Sequence, residues 1–149
     1  MINITQLKQL AAQCVTDTDL EHAEWVTTES ELSRKVPNLK TSHFPLLVYV
    51  TPSFDPDGMD ADNFKDVATM LFFVLKNGRF QSEKESNQVT DMDETLAITD
   101  QIKTYLLNGF PSNPDCALVN GIIPHSFHID PEYNYLGCNG WSMSFQIKS

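Results

Sequence analysis

Positive charge is scarce in this chain, and so are glycine, cysteine and long hydrophobic runs. Ten Lys plus Arg stand against twenty Asp plus Glu, a formal charge of −10 over 149 residues. Such a balance repels phosphate backbones and anionic lipid headgroups at long range, so it disfavours tight nucleic-acid binding. Its plainest consequence is solubility. The three cysteines, Cys14, Cys116 and Cys138, are odd in number, far apart and outside any Cys-x-x-Cys spacing; they fit reduced thiols rather than a disulfide framework. Six glycines include no G-x-G-x-x-G and no G-x-x-x-x-G-K, so no phosphate-cradling loop is present. No run approaches the roughly 18 apolar residues that span a bilayer. The N-terminal MINITQLKQLAAQC lacks the basic start and apolar block of a signal peptide. The expectation is a soluble protein made in the cytosol, with no membrane partner.

What is present suits one globular domain, 1–149, with 41% hydrophobic residues to build a core. The most apolar stretch, Asp66 to Lys76 (DVATMLFFVLK), reads as a central strand buried on both faces. Around it, Ile4, Leu7, Leu10, Ala11 and Cys14 recur at helical spacing, with Asn3 as an N-cap. Thr16 to Glu24 reads as a connection, and Trp25 and Val26 as the start of a short strand. Thr28 and Glu31 match a capping box for a short helix over Glu29 to Lys35, which Pro37 stops. Phe44 to Val50 predicts a second apolar strand with Pro45 at its start.

Thr51 to Lys65, with Pro52, Pro56, Gly58 and the acids Asp55, Asp57, Asp60 and Asp62, reads as a loop. Its spacing fails the EF-hand pattern: from Asp55, Gly58 falls at the fourth position instead of the sixth, and Asp66 takes the twelfth in place of Glu. A solvated acidic loop is the reading. Asn77-Gly78 signals a tight turn, and Gln81 to Gln88, including Glu83 and Glu85, contains no apolar residue and reads as an exposed, mobile loop. Thr90 and Asp93 fit a second capping box, followed by Leu96, Ile98, Ile102, Tyr105 and Leu106 at helical spacing up to Asn108-Gly109. Asp91, Asp93 and Glu94 would then sit where the helix dipole favours negative charge. Cys116 to Asn120 and Ile122 to Ile129 are strand-like, interrupted by Gly121 and Pro124. Pro131 to Asn134 reads as a reversal, and the alternation of Trp141, Met143, Phe145 and Ile147 predicts a half-buried antiparallel final strand.

No constellation specifies a reaction. His125 and His128 lie three apart, on opposite faces of a strand, and would not converge on a metal with Cys116 or Cys138 unless Pro124 or a bulge re-aims one of them. Pairing Cys138 or Ser142 with a histidine as a nucleophile lacks any elbow or helix-start motif. The acids fall in loops or at a helix start, which predicts solvation rather than perturbed titration. Phe72, Phe73, Trp141 and Phe145 have too few neighbouring cations for a base-stacking platform. The residues alone lead to an acidic α+β domain, with no catalytic residue, metal or cofactor assigned.

The order of segments carries a resemblance. The first helix leads through His22 and Trp25 into Thr28-Glu-Ser-Glu31, then Phe44-Pro-Leu-Leu-Val48, the acidic loop, the apolar strand, the late helix and a terminal Asn139-Gly-Trp-Ser-Met-Ser-Phe145. Over most of its length the chain resembles the small tail-completion and tail-terminator proteins of tailed phages and prophages of Bacteroidetes. That likeness implies a small mixed or antiparallel sheet with an N-terminal helix and a late helix packed on one side. It also implies a non-enzymatic structural subunit at the neck or tail end of the virion, made in the bacterial host cytoplasm. Such a subunit would assemble as a hexameric or dodecameric ring with connector and tail-tube proteins, and DNA would pass it without tight binding. The oligomer or lumen contacts it suggests are Asp55, Asp57, Asp60, Asp62, Glu83 and Glu85. Two other classes remain: an acidic adaptor or inhibitor that binds a basic partner, and a small hydrolase built on Cys138, His125 and His128.

Overall fold

The computed structural model describes residues 2–57, 65–77, 85–114 and 119–148. Helix α1 (Ile4–Asp17) opens with the capping box that Asn3 makes with Gln6. The Gln6 N–H donates to Asn3 Oδ1 at 2.8 Å and the Asn3 N–H to Gln6 Oε1 at 2.9 Å, so two orphan donors of the first turn are satisfied together. Five strands follow: β1 (His22–Val26), β2 (Leu46–Asp57), β3 (Lys65–Asn77), β4 (His128–Tyr135) and β5 (Cys138–Lys148), ordered β1-β2-β3-β5-β4. A short helix α2 (Leu32–Lys35) and a long one, α3 (Glu85–Asn108), complete an α+β fold. The sheet is mixed, because β1 runs parallel to β2 while every other pair is antiparallel.

The apolar run lies at the centre of the sheet, as its composition demands. Met70, Phe72 and Val74 face α1 and α3 together with Leu47, Tyr49, Met143 and Phe145. Phe73 and Leu75 face the other way, joining Val48, Leu32 and Val36. The N-terminal and late helices thus share one face, and the turns around α2 cover part of the other. Both outer strands carry a guard against further pairing. The Lys35 ammonium donates to Trp25 O at 2.6 Å on β1, and Pro131 removes a donor from β4.

Several expectations are corrected. The region Thr51 to Lys65 is not simply a loop: β2 continues to Asp57 and pairs with β3 from Lys65, past an irregularity between Val50 and Ser53. Pro52 falls at that bulge, where the ladder is already broken, and Pro56 lies beyond the last partner of β1. Helix α3 begins at Glu85, so Glu85 to Gln88 is helical and Thr90 is no cap. A helix can open on a turn that adds nothing to its apolar stripe. Gly109 does end it, at φ 103°, its N–H donating to Tyr105 O at 2.7 Å. The Thr28 side chain makes no cap bond; Glu31 reaches back instead to the Thr27 N–H at 2.8 Å.

Strand β1 starts at His22, inside the expected connection. The strand expected over Ile122 to Ile129 starts only at His128, preceded by 3₁₀ turns at Val119–Gly121 and Pro124–Ser126, with Ile122 in an isolated bridge to Ile147; of the other expected strand, Cys116 to Leu118 lie outside the described residues. Pro131 to Asn134 belongs to β4. The reversal lies at Leu136 and Gly137, with φ of 54° and 78°. Two successive positive φ values make the two-residue turn whose twist matches a hairpin.

Candidate functional site

The acids singled out in the sequence occupy two ends of the molecule. Asp55 is exposed on β2 opposite Val67, and Asp57 closes β2 opposite Lys65. This part of β2 has no β1 neighbour, and β5 reaches only as far as Val67, so Pro56, Asp57, Lys65 and Asp66 form a two-stranded ribbon beyond the sheet. Glu85 begins α3, near the opposite end of β3. At about 3.3 Å per residue the two ends of β3 are some 40 Å apart. The chain therefore does not bring Asp55 and Asp57 together with Glu85; Asp60, Asp62 and Glu83 lie outside the described residues.

The cysteine and histidines are also separated. His128 stands opposite Ser144 at one end of the β4–β5 ladder, and Cys138 opposite Tyr135 at the other, about 20 Å along the strand. Burial pushes the Cys138 thiol up to about 11, so its thiolate is scarce near neutral pH. His128 Nε2 is engaged with Asp130 Oδ2 at 2.8 Å on an open part of the sheet. Ser142 and Ser144 lie across from Asp130 and His128, yet no serine–histidine hydrogen bond forms among the described residues. His125 is exposed in its 3₁₀ turn. No group of three or more His, Cys, Asp or Glu among the described residues is placed to hold a metal, and no helix among them is long and apolar enough to cross a membrane.

A cleft of about 240 Å³ is lined by Thr41, Phe44, Lys76 and Asn77, smaller than the roughly 300 Å³ at which small-molecule sites begin. The Lys76 ammonium beside it is already committed. It bonds Glu94 and lies 3.7 Å from Asp91. Asp91 is buried at 4% exposure, so this triad fastens α3 to β3. That overturns the helix-start account of Asp91 and Glu94, which lie about two turns inside α3. A second set of charges surrounds Glu31. Its carboxyl is held down at about 2 by the Thr27 hydroxyl, then the Thr27 N–H, then Lys35 and Arg34. Both charge sets hold elements together.

No protein-family model matches the chain, and no curated protein matches it.

The feature that sequence reading missed is a surface. Val89, Leu96 and Tyr133 are the large hydrophobics left most open to solvent among the described residues. Of the three, only Leu96 belongs to the apolar stripe that helical spacing predicts, and it turns out of the core at 39% exposure. At about 100° per residue it lies well off the stripe of Thr95, Ile98, Thr99, Ile102 and Leu106.

Proposed function

We propose that this chain is a non-enzymatic structural subunit of a tailed phage, forming a ring at the neck or tail end through which DNA passes. The observation that carries this reading is the β2–β3 ribbon. It projects past β1 and β5 at Pro56, Asp57, Lys65 and Asp66, with Asp55 at its base, an arm of a kind suited to reach a neighbouring subunit. Two further features support it. The N-terminal and late helices share one sheet face, as the resemblance implies, and a charge of −10 gives passing DNA no counterion-release reward for sticking. The distance between Cys138 and His128 supports a role without nucleophilic catalysis.

Electron microscopy of the virion, or of the protein mixed with its connector, tests the proposal. A closed ring of this chain on the particle axis, with the ribbon touching the next subunit, is the expected result. Absence from the particle, together with a strict monomer in the presence of connector and tube, would overturn it. A second reading, an acidic adaptor for a basic partner, is favoured by the exposed hydrophobics on α3 and β4.

A further inference from the structure

The three most exposed large hydrophobics among the described residues, Val89 at 53%, Leu96 at 39% and Tyr133 at 67%, lie toward one side of the molecule. Val89, Met92, Leu96 and Lys103 fall on a single flank of α3 at about 100° per residue. That flank faces the β4 edge. The Met92 carbonyl accepts the Trp141 indole N–H at 3.0 Å, and the Lys103 ammonium lies 5.8 Å from the ring of Phe127, which leads into β4. Trp141 pairs across the ladder with Pro131, and alternation puts Tyr133 on the same face as Pro131. A strip therefore runs from Val89 and Leu96 over Trp141 to Pro131 and Tyr133. Pro131 cannot donate to an added strand, so the strip offers side chains rather than a sheet edge.

Charge selects the occupant. The solvent side of α3 beside the strip carries the exposed Asp93 and Asp100. Neither has an ion-pair partner among the described residues, whereas Glu24, Glu31, Asp91 and Glu94 all do. The cation on this flank, Lys103, lies over Phe127. A second copy would bring the same carboxylates and another charge of −10, and its Arg34 and Lys35 are already paired. We infer that the α3–β4 strip is a docking surface for a basic amphipathic helix of a different protein. The partner's apolar face would cover Val89, Leu96 and Tyr133, and its flanking Lys or Arg would meet Asp93 and Asp100. This inference stands without the virion reading.

The test is fluorescence anisotropy of the intact protein with a dye-labelled Leu/Lys peptide whose leucines share one helical face. Its control is a scrambled peptide of equal composition with the leucines dispersed. The amphipathic peptide should bind about tenfold tighter than the scramble. Val89→Ser/Leu96→Ser should erase that preference in a chain that stays folded, with only a small fall in the thermal midpoint from the covered part of Leu96. Asp93→Asn/Asp100→Asn should weaken binding at low salt and flatten its salt dependence. Equal binding of both peptides, or a preference that survives the serine variant, would overturn the proposal in favour of unspecific attraction to an acidic surface. Sedimentation of the protein alone supplies the other contrary result: self-association abolished by the serine variant would make the strip an interface between copies. A ring closed through other surfaces leaves the serine variant fully assembled.

Discussion

The indole N–H of Trp141 on β5 donates to the Met92 carbonyl on α3 across 3.0 Å. The bond ties the long helix to the sheet alongside the Lys76 triad and the packed Ile98, Ile102 and Leu106. Trp141→Phe keeps most of the packing but removes the donor, and should cost about 1 kcal/mol in urea unfolding. Trp141→Ala should cost two to three times as much, because the ring's contacts are lost as well.

Removing the cation from the Lys76 triad should be more damaging. Lys76→Met leaves the buried Asp91 carboxylate without its partner, at an expected cost of about 3 kcal/mol. Lys76→Met/Asp91→Asn should regain most of that loss, and a double-mutant cycle in urea would measure the coupling.

Gly140 lies so close to β3 that a Cβ would stand 1.9 Å from Val74 O. The clash is with backbone at the centre of the sheet, where neither strand can move without breaking its ladder. Gly140→Ala should therefore destabilise by about 3 kcal/mol or more, seen as a fall in the urea midpoint. An unchanged midpoint would show that β5 can shift away from β3.

Alkaline pH should loosen the face of the sheet that carries Cys138. Burial raises the Cys138 thiol to about 11, and burial with the nearby Glu29 raises Tyr135 to about 12. Both groups bind their protons more tightly folded than unfolded. Their contribution is complete below about pH 9 for the thiol and pH 10 for the phenol, and is lost as pH rises through 11 and 12. Thermal midpoints should fall over that window, and Cys138→Ala should remove the earlier part of the fall. Mass spectrometry should find Cys138 unmodified by a thiol reagent at pH 8 until the chain unfolds.

Elements whose signal is local were legible in the sequence. The Asn3 cap, the Leu7-Leu10-Cys14 stripe and the alternation from Trp141 to Ile147 each describe one segment's relation to its own surroundings, and each appears as expected. Thr90 with Asp93 misled because the same four residues fit a helix interior as well as a helix start, and the polar turn at Glu85 to Gln88 gave no competing apolar signal. Of the candidate site, the residue types were visible but their grouping was not. Nothing in the spacing of Asp55 and Glu85 indicates that the length of β3 lies between them.

The sequence by itself determined an acidic α+β chain with a doubly buried central strand, because composition and periodicity act through near neighbours. Only the tertiary structure decided that β2 and β3 keep pairing past Pro52, Pro56 and Asp55, that Lys76 holds Asp91 and Glu94, and that Val89, Leu96 and Tyr133 share one side. The physical reason is common to all three: ladder bonds, ion pairs and surface patches form between segments far apart in the chain, and their energies depend on which partner the fold delivers.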